Sequence, residues 1–202
     1  MFVEPVVDVL GCVWWPKEGS WVAVHFFNRY MPVFNIFAYA CFVGGSTLYL
    51  FTRMERGLAS KHLWGFYGLL AIINFILEIL ALDKGVFIYY GDQPFVFFGE
   101  PLWWNIVNPL MPITVAAVIY KLKPLLRGWK MLLVIPFVVM SDAAVNLAVG
   151  LPTQLALNSG LGLVATHIGA LITLCLAILW AWVVSLAVAK DSPMNTGAFK
   201  SE

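Results

Sequence analysis

The chain has 202 residues, 61% of them hydrophobic and 11% charged, with a formal net charge of +1. A soluble domain carries about 25% charged and 45–50% apolar residues, so these few charges do not suffice to coat a water-facing surface. Lipid is the solvent for much of the chain, and there is no basic footprint for nucleic acid.

Met1 to Leu10 lacks a positive n-region and carries Glu4 and Asp8, so it does not read as a secretory signal. Val3–Trp15 is apolar but too short to span. It predicts an interfacial or re-entrant segment, or else the end of a longer span that begins upstream. Trp14, Trp15 and Trp21 suit a belt at the headgroup level.

Crossing the hydrocarbon layer as a helix takes about 20 apolar residues. Five segments meet that length: Met31–Phe51, Leu63–Leu82 with Glu78, Trp103–Tyr120, Met131–Gly150 with Asp142, and Leu161–Ala189 with His167. The reading is an all-α polytopic transmembrane bundle of about five spans, one domain over residues 1–190, with 191–202 as a flexible cytoplasmic tail. Between the second and third spans, Asp83–Leu102 is aromatic and rich in Gly and Pro, which predicts a lid or short hairpin over the bundle.

The loops set the orientation. Arg53, Arg56 and Lys61, then Lys121, Lys123, Arg127 and Lys130, then Lys190 and Lys200 put nine of the twelve basic residues on one side. By the positive-inside rule that side is cytoplasmic, with the N-terminus outside and the C-terminus inside, in a membrane expected to be the bacterial cytoplasmic one.

With that orientation the polar side chains gather in the outer half of every span. They are Asn35, then Asn74 and Glu78, then Asn105 and Asn108, then Asp142 and Asn146, and finally His167. The three pairs are spaced three or four apart, so each pair shares a helix face. An ionisable group at that depth costs at least about 2.5–3.5 kcal/mol on insertion scales and should face the bundle interior or a wet pocket. The expectation is an outward-biased cavity. Plainer roles stand beside it: Asn in membrane helices serves as interhelical glue at about 0.6 kcal/mol per contact, Glu78 is close enough to its helix end to reach the surface, and a lone His167 suits packing. Asp142 is the hardest to explain structurally.

Metal ligation fits poorly, because no HxxxH, HExxH or Glu-x-x-His pattern occurs and His25, His62 and His167 lie at different depths. No nucleophile elbow, phosphate loop or CxxC pair is present, and Cys12, Cys41 and Cys175 lie far apart. No cofactor is implied. What these residues offer is carboxyl chemistry among aromatics: a buried carboxyl holds its proton near neutral pH, and aromatic faces stabilise cations.

In size, helix count and sparse intramembrane acids the chain resembles the small integral-membrane terpene cyclases of fungal and actinobacterial meroterpenoid pathways, although none of their catalytic positions is carried over. The segments EPVVDVLGCVWWP (Glu4–Pro16) and YYGDQPFVFFGEPLWWNIVNP (Tyr89–Pro109) look more like a group of uncharacterised actinobacterial polytopic membrane proteins, whose members carry apolar sequence before the EP. The acidic helix followed by Tyr90-Gly91 and by Gly99-Glu100-Pro101-Leu102 is also similar to membrane carotenoid-modifying enzymes.

The functional expectation is an acid–base enzyme that cyclises or isomerises a lipophilic isoprenoid substrate taken from membrane lipid. Asp142 is the expected proton donor and Glu78 the second acid or base. Asn35, Asn74, Asn105, Asn108, Asn146 and His167 would line the pocket, while Tyr89, Tyr90, Trp103 and Trp104 would cap it or face the cation. A small proton-coupled transporter and a non-catalytic lipid-binding subunit are the rival readings.

Overall fold

The computed structural model describes residues 3–191; the expected tail beyond residue 191 lies outside them. Its helices in chain order are α1 (Glu4–Leu10), α2 (Phe34–Glu55), α3 (Ser60–Asp83), α4 (Leu102–Leu122), α5 (Gly128–Val149), α6 (Leu151–Leu157) and α7 (Leu163–Val188). All but α1 and α6 are long and apolar enough to cross a membrane, which makes five candidate spans. In lipid a backbone must satisfy its hydrogen bonds internally, and these mostly apolar runs do so as helices.

The span limits move by a few residues from those expected. Met31 and Pro32, expected as the start of the first span, belong to a strand over Arg29–Pro32 instead, so α2 starts at Phe34 and runs on to Glu55. The all-α reading also needs correction by three two-stranded antiparallel ladders. Strand β1 (Val13–Trp14) pairs with β4 (Ile88–Tyr89), β2 (Val22–Phe26) with β3 (Arg29–Pro32), and β5 (Val96–Phe97) with β6 (Glu100–Pro101). The last two are hairpins with two-residue turns, Phe27-Asn28 and Phe98-Gly99, whose residues all have positive φ. That is the requirement of the turn type whose twist matches paired strands.

Helix α4 is the centre of the bundle. Its span is 72% buried, against 17–33% for the others, so it has neighbours on every side while they turn a broad face outward. It packs against α2, α5 and α7; α3 lies against the first turns of α4 and against α7, and α6 lies on α7. Leu69, Ile72, Ile76 and Leu80 on α3, and Leu171, Ile178 and Trp182 on α7, are exposed, as expected of surfaces solvated by lipid.

The two ends differ in chemistry. One end carries the basic loops and the close of α7, where Lys190 N donates to the Leu58 carbonyl and Ser60 N to Asp191 Oδ1, both at the start of α3. At the opposite end α1 folds back onto the bundle. Its last turn is tied to α6 by Asn158 Nδ2 donating to Leu10 O at 2.8 Å. A Cβ at Gly11 would stand 2.3 Å from the Trp104 ring, so only glycine lets the chain pass α4 so closely there. Trp21 is exposed as an interfacial residue would be, but Trp15 is buried inside this end and Trp14 half-buried.

Candidate functional site

A cavity of about 550 Å³ opens between α2 and α3 at the end where α1 docks, with α1, β1, β4, α4 and α5 completing its walls. Two features of the helices make room for it. Residues Ala40–Gly45 of α2 and Ala144–Val149 of α5 run as π-helix, a geometry frequent at functional sites. Helix α4 breaks at Asn108–Pro109, because Pro109 and Pro112 bring no N–H to the helical ladder. Asn108, Asn146, Cys41, Phe42 and Val43, all at or beside these irregular turns, line the cavity.

Three carboxyls line the same hollow: Glu4 and Asp8 from α1, and Glu78 from α3. Each has a hydrogen-bond donor. The Tyr39 hydroxyl donates to Glu4 Oε2, Trp15 Nε1 to Asp8 Oδ2 at 2.9 Å, and the Tyr89 hydroxyl to Glu78 Oε2 at 3.0 Å. Behind Glu78 stands Glu100, fully buried. Asn105 Nδ2 donates to its Oε1 at 2.9 Å, and Asn74 Nδ2 donates to Asn105 Oδ1 at 2.8 Å. Glu100 Oε2 is buried with no partner among the groups around it, while the side chain lies in hydrogen-bonding contact with Glu78. A proton on Oε2 would give the two carboxyls a bond to share.

Burial pushes the Glu4 carboxyl up to about 8, and the nearby Asp142 and Glu78 carboxylates add to this. Asp8 is held well above the ordinary carboxyl range by burial and then by Glu4. Glu100 rises to about 10, through burial first and Glu78 second. The Tyr89 phenol is pushed far up by burial and by Glu78, so it serves as a hydrogen-bond donor. Burial thus favours the neutral form of Glu4, Asp8 and Glu100 at neutral pH.

The residues singled out by sequence fall into two groups. Glu78, Asn35, Asn74, Asn108, Asn146, Tyr89 and Trp104 line the cavity. Asp142 is buried one layer back, accepting from Asn146 Nδ2 at 2.7 Å, with Asn146 between it and the hollow. Asn105 is likewise behind Asn74, and Trp103 is stacked on the far side of Trp104 at 4.1 Å. Tyr90 turns outward, 40% exposed, and receives Arg29 Nη2. His167 is on another face, its ring against Phe95 and its Nδ1 against Leu163 O at 2.7 Å.

Sequence reasoning left Glu4 and Asp8 undecided and did not place Glu100 or Tyr39 in the site. The signal for the first two was their i, i+4 spacing, which puts both on one face of α1. Glu100 was marked only as a lone acid between Gly99 and Pro101 ahead of Trp103-Trp104. Nothing in the sequence pointed to Tyr39.

No family model, curated protein or solved structure matches this chain. Function is therefore read from the chemistry of the cavity. Among the described residues no three His, Cys, Asp or Glu side chains come together as a metal site. The side chains present can donate a proton, take one back and flank a cation: Trp15, Phe34, Phe87 and Trp104 contribute rings to the lining.

Proposed function

We propose that the protein is a membrane enzyme that protonates a lipophilic isoprenoid substrate in this cavity and so cyclises or isomerises it. The observation that carries the reading is that Glu4 and Asp8 of α1 and Glu78 of α3 line one aromatic-walled hollow. A carboxylic acid transfers its proton to an alkene carbon, leaving a carboxylate and a carbocation. The cation shifts or closes a ring beside the aromatic faces, and a C–H proton then returns to a carboxylate. No electrons are gained or lost overall, so no redox partner is needed. Glu4 and Glu78 touch the substrate in this scheme, and Glu100 holds a proton against Glu78. Asp142 acts as a positioning residue by fixing the Asn146 amide. The resemblance to integral-membrane terpene cyclases points the same way.

Beneath the cavity the bundle closes on Leu50, Met54, Leu63, Leu110 and Ile113, all fully buried. That is a seal, which favours an enzyme over a carrier. The basic end is assigned to the cytoplasm of a bacterial cell and the cavity to the outer leaflet. An impermeant thiol reagent applied to intact cells should then label a cysteine-free background carrying Trp21→Cys, and spare one carrying Trp129→Cys; both positions are exposed.

The chemical test starts from the lipids that copurify, identified by mass spectrometry, and follows their conversion by the purified protein. Glu78→Gln and Glu4→Gln should abolish conversion while leaving the protein monodisperse in detergent. Full conversion by both variants would remove the acid–base assignment, and uptake into proteoliposomes driven by a pH gradient would replace it with a carrier.

A further inference from the structure

Two amide atoms in the cavity wall lack partners. Asn35 Nδ2 and Asn146 Oδ1 are buried without a hydrogen bond, in residues only 5% and 3% exposed, and both residues line the hollow. Because Asn146 Nδ2 is committed to Asp142 Oδ1, the free end of that amide is its acceptor. Both atoms lie just beneath the cavity surface, so a small turn of each amide brings one unused donor and one unused acceptor to the wall, and leaving such atoms unsatisfied costs about 1–3 kcal/mol each. A hydroxyl answers both, since one oxygen accepts and donates.

The charge around the hollow limits what else the ligand carries. Glu4, Asp8 and Glu78 face it and Glu100 lies behind. The buried cation of this end, Arg29, is outside the lining; it donates to Tyr90 and sits over the rings of Trp14 and Tyr90. Among the described residues of the lining, a phosphate or diphosphate would meet carboxyls and no cationic side chain.

The mouth limits the rest. Phe34 and Cys41 on α2 and Ile73 and Leu77 on α3 line the cavity and are also exposed on the flank of the bundle. The two helices meet nearer the basic end, where Tyr49 stacks on Phe66 at 4.8 Å, and are separated by the cavity above that point. The gap opens sideways, toward where acyl chains would lie. A volume of about 550 Å³ is ordinary for a small-molecule site.

We infer that the cavity binds a neutral, single-chain isoprenoid alcohol and rejects its phosphate ester, with the hydroxyl held by Asn35 and Asn146 and the chain leaving between α2 and α3. This rests on the cavity being the lipid site of the proposed enzyme, but not on the acid–base step.

The test is equilibrium binding of tritiated farnesol to the full chain in detergent, competed by unlabelled farnesol, farnesyl monophosphate and the hydrocarbon farnesene. Farnesol should compete at least about tenfold better than either of the others, the worth of one or two buried hydrogen bonds. In Asn35→Leu and Asn146→Leu the advantage of farnesol over farnesene should vanish while farnesene still binds, which also reports an intact fold. Ile73→Trp should slow association of alcohol and hydrocarbon alike. Farnesyl monophosphate binding as tightly as farnesol overturns the inference, as does an undiminished preference for the alcohol in both leucine variants. If those variants do not stay monodisperse, the wild-type ranking decides alone. Binding as described with no turnover of any isoprenoid would sink the enzymatic proposal and leave this one standing.

Discussion

The two ends of the bundle handle charge in opposite ways. At the basic end Arg53, Arg56, Lys61, Lys121, Lys123, Arg127, Lys130 and Lys190 are all exposed, and the interior beside them is Leu50, Met54 and Leu63. Even the charged residues that line the hollow there, about 190 Å³ in volume, namely Arg53, Arg56 and Lys190, reach water. At the other end Asp8, Glu100 and Asp142 are 4% exposed or less, and Glu4 and Glu78 face an internal cavity. Desolvating an ionised carboxyl costs several kcal/mol, and a protein escapes that cost by keeping the group neutral or by giving it hydrogen bonds. A bundle that needed only to be stable would treat both ends like the basic one. The expense at the acidic end makes sense where the acids are used.

Neutralising acids should therefore have the largest effect there. Glu78→Gln and Glu4→Gln keep size and hydrogen-bonding capacity but remove the transferable proton, and turnover should fall at least about a hundredfold, the lower range of general acid–base contributions. Neutralising Lys123 at the other end should leave turnover as it is. The next effect is a pH slope confined to the acidic end. Glu4 is raised from 4.5 to about 8 on folding, so the folded state holds a proton that the unfolded state releases. That contribution to stability is complete below about pH 4.5 and is lost as pH rises through about 8. Glu100, raised to about 10, extends the decline. The melting temperature in detergent should be higher at pH 6 than at pH 9, and Glu4→Gln should flatten the fall across that window. A wild-type protein that gains stability between pH 6 and 9 would contradict the buried-acid picture.

The same contrast explains what was legible in the sequence. The spans were, because crossing lipid takes long apolar runs with few charges, and five helices have that length and composition. Asn35, Asn74, Glu78 and Asn146, grouped in the sequence by depth, line one cavity. Depth does not say which side of a helix a residue faces, however. His167, grouped with them by depth, has its ring against Phe95 and does not line the cavity. Asn105 and Asn108 are three apart and were read as one face, yet the break at Asn108–Pro109 lets Asn108 line the cavity while Asn105 turns to Asn74 and Glu100. Helix α6 was missed because seven residues, Leu151–Leu157, carry too little periodicity to separate from a loop. The docking of α1 depends on the close pass of Gly11 at Trp104, a tertiary contact that no local pattern encodes.

Two smaller changes separate packing from chemistry. Helix α7 meets α6 at Gly169, where a Cβ would stand 2.6 Å from the Pro152 carbonyl oxygen and 3.0 Å from the Ala156 Cβ. This seam is at the acidic end but outside the cavity, and Thr153 and Thr173 hold it with a buried hydroxyl pair at 2.8 Å. Gly169→Leu should cost about 1–3 kcal/mol, as overpacking does, while the activity of the protein that remains folded is unchanged. The smallest effect belongs to the Lys123–Glu55 ion pair, which joins the ends of α2 and α4 in the basic loops. Both side chains are partly exposed, at 55% and 34%, so water and salt screen the attraction, and Lys123→Gln should change stability by less than about 1 kcal/mol. A larger loss, measured as a melting shift at physiological salt, would mean that the basic end also depends on its charges. The division between an end that displays charge and an end that buries it would then no longer hold.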